Sequence, residues 1–147
     1  MSPEDLRLRN ETYRLFGTLG RAPSADDVAD ALGSTGATVL AGWQRLHDGH
    51  ALVLDDDRTA IVMANPFSGV PTAFRVHSDG RSWFANCAWD ALGIPAALHV
   101  DGSIRSSCAD CGDALELEVR DMRPDDPSLL FHSLVPASRW WDDIVFT

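Results

Sequence analysis

Ser24 to Ala64 reads SADDVADALGSTGATVLAGWQRLHDGHALVLDDDRTAIVMA, and this stretch decides the fold of the first half. Ser24 is a good helix N-cap, with Asp26 and Asp27 in the first turn where the helix dipole favours acids. Val28, Ala31 and Leu32 form the apolar side, and Gly33 is a C-cap candidate. Ser34 or Thr35 starts the next helix, which carries Val39, Leu40, Trp43 and Leu46 and ends at Gly49. Two apolar runs, 51–54 and 59–64, then flank Asp55-Asp56-Asp57, which predicts a β-hairpin.

Upstream, Pro3 and the spacing of Leu6, Tyr13, Phe16 and Leu19 predict a helix over 3–19. Three helices followed by a two-stranded wing is a winged-helix arrangement. Downstream, Asn65-Pro66-Phe67-Ser68-Gly69-Val70-Pro71 is rich in turn residues and reads as a linker. Beyond it the chain is strand-rich, with strands expected at 72–77, 82–86, 96–100, 103–107, 114–120 and 129–135. A short helix is expected from Cys87 to Leu92, broken near Gly93 and Pro95. A second one is expected over 136–143, followed by a strand from Ile144. The expected class is α+β: a winged-helix-like three-helix unit over 1–64, and a mixed β-sheet domain with short helices over 65–147.

The chain has 147 residues, a net charge of −10 and 45% hydrophobic residues, which fits one domain or two small ones. No apolar run approaches the ~18 residues of a membrane span, and the polar start MSPEDLRLRN shows no secretory signal. A cytoplasmic location is the expectation. All 12 basic residues are arginine, which excludes lysine Schiff-base and P-loop chemistry. Residues 1–64 hold six arginines against ten acids, and the presumed recognition helix over 34–48 offers only Gln44, Arg45 and His47. That disfavours DNA as a partner.

Three cysteines stand out: Cys87, Cys108 and Cys111. In WFANCAWDAL (Trp83 to Leu92), Cys87 and Asp90 fall three apart, on one face of a helix. The first turn of that helix is expected to favour a thiolate. Such a pair can hold a soft metal through sulfur while the carboxylate manages a proton; the plainer reading is a buried thiol beside a solvated acid. Cys108-Ala-Asp-Cys111 is half of a zinc knuckle, with Cys87, His99 and His132 as spare ligands. It reads equally as a dithiol that captures a soft ion, or as two ordinary turn cysteines. Phe67, Trp83 and Trp89 are candidate walls of an apolar substrate pocket, or else core residues. Trp140, Trp141, His77, His99 and His132 are weaker candidates.

Taken in order, the Pro66–Gly69 segment, PTAFRV at 71–76, WFANCAWDAL at 83–92, Ser107-Cys108 and Val135-Pro136 resemble the alkylmercury lyases. The resemblance implies protonolysis of carbon–mercury bonds, with Cys87 as the mercury-capturing thiol and Asp90 as the acid/base. It implies no required cofactor, mercury(II) as bound product, and small organometallic substrates with small thiols as partners. Cys108 matches a cysteine of the family that looks structural. The family's second catalytic cysteine follows the Val-Pro segment, and this sequence has none there. By spacing it would fall at about the residue after Thr147. Three readings are open: a homologue that lost the thiol, Cys111 supplying it from elsewhere, or a sequence that stops at the catalytic residue, for instance at a selenocysteine codon. A strand unfinished at Thr147 would expose an edge and invite a homodimer. The alternative reading is a non-enzymatic, metal-sensing winged-helix protein.

Overall fold

The computed structural model describes every residue except 127, 132, 134 and 145–147, so His132 and the strand expected beyond Ile144 lie outside the described residues. Three helices open the chain: α1 (Pro3–Leu19), α2 (Ala25–Leu32) and α3 (Gly36–Asp48). Each has its cap. Ser2 with Asp5, and Ser24 with Asp27, close capping boxes, and the Thr35 hydroxyl accepts from the Thr38 N–H. Gly20 and Gly33 end α1 and α2 in the left-handed conformation.

The buried stripe of α1 is not the expected one. Leu6 and Leu19 are exposed, while Asp5, Leu8, Thr12, Leu15 and Phe16 face inward. The stripe includes a polar residue, Thr12, which hid it from a hydrophobicity reading. The Thr12 hydroxyl donates to the Leu8 carbonyl at 2.9 Å and accepts from Trp43 Nε1 at 3.0 Å. Both side chains are fully buried, so this bond ties α1 to α3 inside the core.

The hairpin follows as β1 (Val53–Leu54) and β2 (Ile61–Ala64), its turn held by Asp55, which accepts from the N–H groups of Thr59 and Ala60. The expected linker over 65–71 instead carries a strand, β3 (Phe67–Ser68), paired with β2 on one side. The reason is Phe67: its buried ring stacks on Phe16 with centroids 5.4 Å apart. The remaining elements are β4 (Phe74–Ser78), β5 (Arg81–Ala85), α4 (Ala88–Leu98), β6 (Gly102–Ser107), β7 (Ala114–Arg120), β8 (Arg123–Pro124) and a 3₁₀ turn over Ala137–Asp142.

The strands form one sheet in the order β1-β2-β3-β5-β4-β6-β7-β8. Every pairing among the described residues is antiparallel, which corrects the expected mixed sheet. The architecture is α+β. One apolar cluster runs from Phe16, Val28 and Trp43 to Phe67, Trp83, Ile94 and Ile104, so helices and sheet share a core.

Two expected breaks are absent or displaced. α4 continues through Gly93 and Pro95 to Leu98, so no strand forms over 96–100. Pro95 removes one intrahelical N–H, but burial of Ala91, Ile94 and Pro95 against the sheet outweighs that loss. Gly93 allows the approach, since a Cβ there would lie 3.1 Å from the Pro66 Cβ. The strand expected over 129–135 does not form among the described residues, where Leu130 is 93% exposed.

Candidate active site

β5 runs into α4 through Asn86 and Cys87, and that junction builds the site. Cys87 is the N-cap of α4, with extended backbone, and Asp90 lies in its first turn. Both are half-buried. Burial pushes the Cys87 thiol up; the N–H groups of Asp90 and Trp89 partly offset this, and the Asp90 charge adds to the rise. The helix start therefore does not make Cys87 a resting thiolate, contrary to expectation, because desolvation outweighs it. Burial also raises the Asp90 carboxyl, against the lowering effect of Asn86. Cys87 therefore rests as a thiol, and Asp90 takes up a proton more readily than a free carboxylate does.

Sequence reasoning passed over Asn86. Its Nδ2 lies 2.9 Å from Asp90 Oδ2, 3.0 Å from Asn65 Oδ1 and 3.2 Å from the Phe67 carbonyl oxygen. One amide thus joins the β2–β3 turn, β3 and α4. The available signal was its position four residues before Asp90, at the strand-to-helix junction. Asn86 Oδ1 and Ser106 Oγ are buried without hydrogen-bond partners.

The other expected site residues are dispersed. Trp83 is a core residue whose Nε1 donates to the Phe16 carbonyl at 2.9 Å. Phe67 also belongs to the core and meets the site through its carbonyl. Trp89 is 62% exposed next to Cys87, tilted against Phe131 at 6.1 Å. Trp141 stacks on His50, 4.3 Å between centroids, and Trp140 Nε1 donates to the Val135 carbonyl. His77 lies on β4, and His99 ends α4 in the left-handed conformation. Two open clefts, of 510 and 270 Å³, gather around the Ser78–Ser82 turn, which is the end of the β4–β5 hairpin remote from Cys87.

Cys108 and Cys111 sit together in the β6–β7 loop, and all three cysteines are free thiols. Among the described residues, no group of three or more His, Cys, Asp or Glu side chains is placed to hold a metal ion. The CxxC pair thus supplies two of the four ligands that a structural zinc site needs. No helix among the described residues is long and apolar enough to cross a membrane.

The geometry can be compared with known proteins. The chain is similar to a solved structure described as the mercury-bound form of MerB2, with 28% sequence identity and a TM-score of 0.65. The match covers 86% of this chain and 60% of that one, so this chain spans less than two thirds of its length. No curated protein sequence matches the chain. The alkylmercury lyase family model matches residues 67–147, more than half of the chain, which includes β3, the Asn86–Cys87 junction, α4 and the CxxC loop. The chain belongs to the alkylmercury lyase family.

Proposed function

We propose that this chain cleaves carbon–mercury bonds by protonolysis, with Cys87 capturing the metal and Asp90 carrying the proton. The supporting observation is the pairing at the start of α4: a half-buried thiol and a half-buried carboxyl, both biased towards protonation, with the carboxyl anchored by Asn86. The substrate is an organomercurial R–Hg–X, where X is a small thiolate. The Cys87 sulfur bonds to mercury and displaces X, while its proton passes to Asp90 or to the departing thiolate. A soft metal drives this deprotonation even though the resting thiol is protonated.

Protonated Asp90 then delivers its proton to the carbon bound to mercury. The C–Hg bond breaks, R–H leaves, and mercury(II) stays on Cys87. Asn86 holds Asp90 Oδ2, so Oδ1 is the oxygen free to carry the proton. Trp89, exposed in the first turn of α4 and tilted against Phe131, is the aromatic ring offered to an apolar organic group. Excess small thiol removes the ion and restores the site.

The test is incubation of the purified chain with an organomercurial and excess small thiol, with hydrocarbon release measured in the headspace. Release above the thiol-only control is expected, and no excess release rejects the activity. Cys87→Ser should abolish mercury capture at α4. Asp90→Asn should still capture the organomercurial but release no hydrocarbon; undiminished release from Asp90→Asn would remove it from the proton step.

A further inference from the structure

Cys111 has no role in the reaction above, and neither does the contact it makes. The loop between β6 and β7 is closed by the Cys108 N–H donating to the Asp113 carbonyl at 2.8 Å and the Gly112 N–H donating to the Cys108 carbonyl at 2.9 Å. This turn brings the two thiols within hydrogen-bonding contact, with Cys111 exposed and Cys108 partly so. Gly112, at φ 77, supplies the left-handed residue that the tight turn needs.

The sheet register places this dithiol relative to Cys87. β4 pairs with β5 at Phe74↔Ala85 and Val76↔Trp83, and with β6 at Val76↔Ile104 and Arg75↔Arg105. Trp83, Val76 and Ile104 are buried and form one row across the sheet. Side chains on a strand share a face at every second residue. Beyond the last paired residues, Cys87 follows β5 and Cys108 follows β6 at the same end of the sheet, on either side of β4. Asp79-Gly80, by contrast, closes the opposite end of the β4–β5 hairpin.

We propose that Cys108 and Cys111 form a second, chelating site for a two-coordinate soft metal ion, placed to receive mercury(II) from Cys87. The source of the ion rests on the lyase reading above; the chelation does not. The transfer balances as thiol exchange. Cys87–S–Hg–X, where X is a small thiolate taken up by mercury after R–H has left, and the two loop thiols give Cys108–S–Hg–S–Cys111, the Cys87 thiol and HX. Two Hg–S bonds form, one Cys87 Hg–S bond and the Hg–X bond break, and nothing is oxidised. A pair of sulfurs from one loop binds as a chelate, which a single small thiol displaces slowly. With two donors, the loop suits a two-coordinate ion and leaves a tetrahedral zinc ion half-ligated.

The experiment titrates the reduced full chain with mercuric chloride, following sulfur-to-mercury absorption and counting free thiols. It is run on Cys87→Ser, which isolates the loop, and on the Cys87→Ser/Cys111→Ser double variant, with folding checked by circular dichroism. Cys87→Ser should lose two free thiols per bound mercury and keep the ion against excess small monothiol. The double variant should lose that retention by at least tenfold, and Cys87→Ser/Cys108→Ser should match it. Equal retention in the double variants, or one thiol consumed per mercury in Cys87→Ser, would overturn the proposal, as would equally tight retention of zinc. Hydrocarbon release by the unsubstituted chain is read separately. Its failure alongside intact chelation removes the lyase reading and spares the dithiol; the reverse pattern removes only the dithiol.

Discussion

Asn86→Ala tests the site through its anchor. The Asn86 amide has two N–H groups for three acceptors, at 2.9, 3.0 and 3.2 Å, so about two full hydrogen bonds are lost. A neutral bond contributes about 1 kcal/mol and one to an ionised carboxylate about 2 kcal/mol, which gives a loss of about 3 kcal/mol at neutral pH. When Asp90 is protonated, its bond to Asn86 becomes a neutral one, and the loss falls to about 2 kcal/mol. The variant should thus be closer to the parent in mild acid than at neutral pH. Its Asp90 pKa should rise further, because Asn86 is the group that lowers it. Urea unfolding followed by tryptophan fluorescence at both pH values reads all of this. The parental m-value should be kept, since the change is local. A loss below about 0.5 kcal/mol, at the level of an ordinary surface change, would refute the anchoring role, as would a loss that grows in acid.

Three further outcomes follow from the same structure. Ile94→Ala empties a fully buried position between α4 and the sheet and should lower stability by about 2–5 kcal/mol in the same urea assay. Gly69→Ala would push a Cβ into the Ile61 carbonyl, where the chain leaving β3 runs beside the start of β2, and should cost more than about 2 kcal/mol, or yield insoluble protein on expression. In acid, two carboxylates act with opposite sign. Asp27, held down to about 2 by Arg21 and by the N–H and hydroxyl of Ser24, stabilises the fold above its unfolded pKa, and that contribution is lost as pH falls towards 2. Asp90 is raised, so its ionised form opposes folding at neutral pH, and that penalty disappears as pH falls through its folded pKa. Asp27→Asn should therefore flatten the acid limb of the stability curve, and Asp90→Asn should flatten the slope nearer neutrality; unchanged curves would contradict these signs.

The helical third was legible because its signals are local. Ser24, Gly33, Thr35 and Gly49 bound their helices by cap chemistry that needs no tertiary partner. The errors came where distant packing overrode local preference. Pro95 reads as a breaker until Ile94 and Ala91 are seen buried beneath it. Asn65 to Pro71 reads as a linker until Phe67 is seen stacked on Phe16, 51 residues earlier. At the site, spacing alone placed Cys87 and Asp90 together. It could not weigh burial against the helix N-terminus, and so gave the thiol pKa the wrong sign. Asn86 was invisible for a related reason: two of its acceptors, Asn65 and the Phe67 carbonyl, lie about twenty residues away, across the β3 pairing.

The raised pKa of Cys87 is compatible with the chemistry once the protons are followed. A resting thiolate would attract any soft ion and leave Asp90 to find its proton from solvent. In the proposed reaction a resting thiol brings that proton with it, and capture of R–Hg–X frees it at a half-buried junction whose neighbouring Asp90 carboxyl has a raised pKa and accepts it. Where the sulfur proton passes to Asp90, the protons lost from sulfur and gained by carbon are equal in number, so that route draws no net proton from bulk water before the product ion is removed. The net charge of −10 acts in the same direction, since a negative surrounding field disfavours both a bare thiolate and a bare carboxylate. In this account burial at the start of α4 is what couples metal capture to proton delivery, and the helix N-terminus fixes where Cys87 and Asp90 stand.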